Sequence, residues 1–123
     1  MSTTAIDSKQ LVMDYFKALS GLPKDEAVVA QFVSDPALKE HVRVIEAGFP
    51  SYDLIAHQTV AEGDFVVVRG LFRGVHKGEF AGIQPTGKHV AADLMIMYRI
   101  ADGLIAEHWL QFDSKSLMDQ LTN

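Results

Sequence analysis

Five polar or aromatic side chains that could do chemistry crowd into one short stretch. Glu107, His108, Trp109, Gln111 and Asp113 fall within seven positions of DGLIAEHWLQFD, residues 102–113. Asp113 is the strongest acid/base candidate. A carboxylate at a strand end, beside Trp109 and an apolar wall, would be partly desolvated. Its pKa would rise toward useful general-base strength. Such a group could take a proton from a carbon next to a carbonyl and return one to a new hydroxyl. The same residue stands directly before SKSLMDQL and would N-cap that helix. The residues alone favour the cap, and one carboxylate could fill both roles.

Other candidates surround it. His57, expected on the first strand facing Val68, Gly70 and Phe72, could polarise a carbonyl or relay a proton. A satisfied, half-buried histidine is the commoner state. Tyr98 and Trp109 suit pocket walls, or ordinary core packing. Gln111 could orient a substrate oxygen, and Tyr15 could aim its hydroxyl from the first helix into a cavity. Phe80 and Ile83, in GEFAGIQPTGK, are expected as apolar lid residues over the entrance. His76 is expected at the surface or mouth, His108 on the face opposite Asp113, and His41 and His89 have no evident partner. His57, His76, Asp93 and Asp113 lack the close ligand spacing of a metal site. Nucleotide motifs, nucleophile elbows and Ser-His-Asp sets are missing. An enzyme built this way would use acid/base chemistry and no cofactor.

The elements that must position these groups follow from periodicity. Asp7–Leu19 reads as a helix with Leu11, Val12, Tyr15, Phe16 and Leu19 on one face, and with Asp7 and Gln10 as a capping box. Gly21 and Pro23 end it. A short helix passes through Val28, Val29 and Phe32. Asp35-Pro36 then starts a helix through Leu38, Val42 and Ile45 to Gly48. From Tyr52 the period becomes that of strands, expected at 52–60, 65–76, 89–100 and 104–112, before a helix at 114–121. Helices followed by a meander imply one α+β domain over 1–123, its curved sheet wrapped over the helices to enclose a pocket.

A two-residue turn at Asp102-Gly103 fixes an expected register. Tyr98, Glu107, Trp109, Gln111 and Asp113 would share the pocket face. Met95, Met97, Leu110 and Phe112 would share the other, which nothing left in the chain covers. That uncovered apolar face predicts a homodimer. A one-residue slip would exchange the two faces.

Bulk properties narrow the partners. The net charge of −5 and the absence of any Lys/Arg run weigh against nucleic acid. With no cysteine there are no disulfides, thiolate chemistry or cysteine-zinc sites. The start MSTTAIDSKQ lacks the pattern of a signal peptide, and no apolar run approaches a membrane span, so a cytoplasmic setting is expected.

The stretches GVHKGEFAGIQPTGKHV, YRIADGLIAEHWLQFD and LMDQL resemble the SnoaL-like polyketide cyclase (ester cyclase) family of the NTF2-like superfamily. The resemblance is carried by Gly74, His76, Gly78, Phe80, Gly82, Ile83, Pro85, Thr86, Gly87 and Lys88. It continues through Arg99, Asp102, Gly103, Ile105, Glu107, His108, Trp109 and Asp113, with Leu104 in place of the usual lysine. It implies the cone-shaped α+β fold and a pocket for a small hydrophobic molecule. Characterised members close a ring by intramolecular aldol condensation with an aspartate as acid/base, and the matching residue here is Asp113. The resemblance thus implies a cofactor-independent cyclase, lyase or isomerase acting on a hydrophobic carbonyl compound. The other reading is a non-catalytic binding module with the same pocket, since this fold hosts many functions.

Overall fold

The computed structural model describes residues 5–123, and for Ile6 only the backbone. The order is α1 (Ala5–Leu19), α2 (Glu26–Ala30), α3 (Pro36–Gly48), β1 (Asp53–Glu62), β2 (Phe65–Val75), β3 (His89–Ala101), β4 (Leu104–Phe112) and α4 (Ser114–Thr122). The start of the chain weighed for a leader lies partly outside the described residues. Among the described residues, no helix is long and apolar enough to cross a membrane.

The four strands form one curved antiparallel sheet in the order β1-β2-β3-β4. Alternation on β3 is strict: Val90, Ala92, Leu94, Ile96, Tyr98 and Ile100 are buried. They meet α1 through Val12, Tyr15, Phe16 and Leu19 in a single core. Aspartates start three of the helices. The Asp25 carboxylate accepts from Val28 N–H, Asp35 from Ala37 N–H, and Asp113 from Ser116 N–H. Asp7 lies within the first turn of α1 rather than before it, and Gln10 donates to Asp14.

Two bulges correct the expected faces. The turn at Asp102-Gly103 forms as expected, both residues left-handed, with Ala101 opposite Leu104 and Ile100 opposite Ile105. Arg99 then pairs with Glu107, leaving Ala106 as an extra residue. The cause lies outside the hairpin. Ile105 N–H donates to Phe32 O at 2.8 Å, and Ile105 O accepts from Ser34 N–H at 2.9 Å and Asp35 N–H at 3.2 Å. The segment between α2 and α3 thus holds Ile105 by both backbone groups. Every later side chain of β4 changes sides. Tyr98 now pairs with His108, Ile96 with Leu110 and Leu94 with Phe112, while Trp109 and Gln111 pair with the outward Met97 and Met95.

The second bulge is at His57. Ala56 pairs with Gly70 and Gln58 with Arg69, so His57 has no partner residue and is exposed rather than facing Val68 and Phe72. Gly70 permits the close approach here, since a Cβ on it would stand 2.1 Å from Ile55 O. The connection from β2 to β3 also differs from a lid. It folds back on the end of α3, where Gly48 O accepts from Lys77 N–H and Gly78 N–H.

Candidate functional site

The inner face of the sheet and the helices leave an apolar cavity. Tyr15 and Phe16 of α1 form one side, and Leu38, His41, Val42 and Ile45 of α3 another. The spacing 38, 41, 42, 45 is one helical stripe, so α3 must turn His41 inward with its apolar neighbours. Strands contribute Leu54, Phe72, Leu94, Ile96, Tyr98, Leu110 and Phe112, Tyr52 precedes β1, and Leu117 comes from α4. The enclosed part of the cavity is small, about 60 Å³, and the empty space around it runs out through the mouth into solvent.

Polar groups on this wall are few. Tyr15, Tyr52 and Tyr98 are buried, and their rings pack edge-on or tilted against Phe16, Phe32 and Phe72. No hydrogen bond reaches any of their hydroxyls among the described residues, yet none of the three oxygens is sealed from open space. Burial pushes all three hydroxyls far up in pKa, so they stay protonated donors at neutral pH. The fourth polar group is His41, half-buried. Burial pushes its imidazole down, and charge on His108 pushes it further the same way.

His108 belongs to a pair. Its Nδ1 lies 2.8 Å from Asp35 Oδ2. A carboxylate only accepts, so Nδ1–H donates and Nε2 is left for other work. Burial tends to raise the Asp35 carboxyl. The hydrogen bonds from His108 and from Ala37 and Leu38 N–H outweigh that and hold it below the usual carboxylate range. The His41 and His108 rings stand 6.2 Å apart.

The expected site residues divide. Tyr15 and Tyr98 line the cavity. Trp109 and Gln111 do not, because the bulge at Ala106 turns them to the outer face, where Trp109 is 46 % exposed and packs beside Phe65. Leu110 and Phe112, expected outside, line the cavity in their place. His57 is exposed at its own bulge. Asp113 is exposed beyond the cavity wall, its carboxylate 3.0 Å from Ser116 N. Phe80 and Ile83 join across a tight turn, Phe80 packs on Gly48 and Phe49, and neither lines the cavity. His76 is fully buried rather than at the surface. It stacks on Phe49 and its Nδ1 accepts from Thr86 N–H at 3.2 Å, pinning the loop. His41, passed over in the sequence, had a usable signal in the apolar stripe around it. His108 had none, since its direction depends on the bulge.

Comparison with known proteins agrees with this architecture. A search of curated proteins gives no match. AclR of Streptomyces galilaeus, which carries a provisional hydroxylase description, superposes with a TM-score of 0.83 at 25% identity, over 96% of this chain and 82% of its own. TsrD of Streptomyces laurentii gives 0.78 at 25% identity, covering 95% of this chain and 96% of its own. A SnoaL-like polyketide cyclase of Agrobacterium tumefaciens gives 0.73 at 18% identity, covering 98% and 99%, a likeness of fold alone. The profile of SnoaL-like polyketide cyclases matches residues 25–121, from the cap of α2 to α4. The chain belongs to the SnoaL-like polyketide cyclase family.

Proposed function

We propose that the cavity binds a small hydrophobic molecule bearing at least one oxygen, of the carbonyl or phenol kind. The observation that carries this reading is the wall itself: hydrocarbon on nearly every side, with three unpartnered tyrosine hydroxyls. Apolar burial supplies affinity at roughly 25 cal/mol per Å². Each hydroxyl that finds a ligand oxygen adds about 1 kcal/mol and fixes orientation. No carboxylate lines this wall among the described residues, which supports binding, with any proton transfer done by imidazole rather than by Asp113. Asp113 fits the role of helix cap, through its bond to Ser116 N–H.

The reading includes a homodimer through the outer sheet face. Val60, Phe65, Met95 and Trp109 are exposed there, with Met97 and Val67 partly so. They form an apolar band across all four strands, and no element among the described residues covers it. A second copy related by a two-fold axis would cover the band with an identical one.

Calorimetry with 2-naphthol and 2-methylnaphthalene tests the cavity claim. Both should bind, 2-naphthol more tightly, and Tyr98→Phe should weaken 2-naphthol about 5-fold without affecting the hydrocarbon. Absence of binding by both compounds would overturn the reading.

A further inference from the structure

Among the described residues, two histidines and one carboxylate form a contiguous cluster that reaches the cavity wall. His41 lines the cavity from the inward stripe of α3. Its ring lies 6.2 Å from that of His108, whose Nδ1 is 2.8 Å from Asp35. The three residues come from one helix, its cap and the bulged strand. The bond that pins Ile105 to Asp35 N–H also brings His108 to the Asp35 carboxylate. Both members of that pair are largely shielded, with side chains 14% and 12% exposed. A surface ion pair would not be built this way.

We infer that His41 is the proton acceptor of this cavity and that His108 with Asp35 forms the pair that positions it and sets its charge. The inference rests on the cavity reading above and assigns its chemistry. With a carbonyl compound bound, a His41 ring nitrogen takes a proton from the carbon next to the carbonyl. The C–H electron pair moves into a new C=C bond, and the C=O pair moves onto oxygen, which a tyrosine hydroxyl stabilises. The imidazolium then returns the proton to another carbon, an isomerisation with no net oxidation. Tyr15 of α1, Tyr98 of β3 and Tyr52 before β1 line the same cavity as His41, and His108 of β4, paired with Asp35, stands beside it. The tyrosines stay protonated and Asp35 stays ionised, so the pH response is read at His41.

A base in an apolar cavity can be tested without the natural substrate. In 5-nitrobenzisoxazole, removal of the C3 proton forms the nitrile while the N–O bond breaks and its pair leaves on oxygen, giving 2-cyano-4-nitrophenolate. The native protein should catalyse this above free imidazole at equal concentration, and 2-naphthol should compete. His41→Gln and His41→Phe should each lower the rate about 100-fold or more while keeping the melting temperature and changing 2-naphthol affinity far less. His108→Gln should raise the pH midpoint of the rate and leave KM unchanged, because a neighbouring positive charge is removed. Asp35→Asn, which keeps the cap, should also move that midpoint. The inference is overturned if the native protein shows no catalysis. It is also overturned if either His41 variant keeps the rate, or if both lose it only together with 2-naphthol binding. Failure of the native protein to bind 2-naphthol would overturn the cavity reading itself, and is read separately.

Discussion

Tyr98 and Asp113 were both candidates for the site, and they occupy opposite situations. Tyr98 is 1% exposed with its hydroxyl unpartnered on the cavity wall; Asp113 is exposed and already bonded to Ser116 N–H. Asp113→Ala should therefore lower stability by about 1 kcal/mol, the worth of an N-cap, and leave 2-naphthol affinity unchanged, as read by thermal melts and calorimetry. Asp113→Asn should restore the stability, since asparagine caps as well. Acid sensitivity belongs to this scale too. The pKa values of His41 and Asp35 are both depressed in the fold, so the unfolded chain takes up more protons than the folded one as pH falls. Stability is present above the ordinary imidazole value and should decline below about pH 6.5 as His41 protonates more readily in the unfolded chain. It should decline again below the ordinary aspartate value as Asp35 is lost. Urea titrations at several pH values check both steps, and His41→Gln should remove the first.

The bulges decide which side chains reach the site. Deleting Ala106 would restore simple alternation in β4 and turn Leu110 and Phe112 outward. Because Ile105 is fixed by bonds to Phe32, Ser34 and Asp35, the strand cannot slide to compensate. The deletion should cost roughly 3 kcal/mol or more, the scale of losing a buried leucine, measurable by urea unfolding. The same feature marks the limit of what was legible in the sequence. Helix starts at Asp35 and the turn at Asp102-Gly103 follow from local chemistry, and so do the strand bounds. The face of Trp109 does not, because it is set by a hydrogen-bond partner some 70 residues away. His57 was misplaced for the same reason, through a bulge that depends on the backbone of Ile55 meeting Gly70. His76 was misplaced because a loop that folds back on Gly48 carries no periodicity to announce it.

At the scale of the whole molecule, the curved sheet has two apolar faces and helices on only one. If the other face pairs two copies, as proposed, sedimentation should show twice the chain mass at micromolar concentration. Placing a charge in the band, as in Trp109→Glu or Met95→Glu, should give a monomer that still folds, since both side chains are already half exposed. The two faces also permit the most direct test of where a ligand goes. Methyl NMR during a titration with 2-naphthol reads both at once. Shifts are expected at Leu94, Ile96 and Leu110, which line the cavity, and none at Met95 or Met97 on the outer face. Shifts at Met95 and Met97 with Ile96 and Leu110 unmoved would contradict the cavity reading.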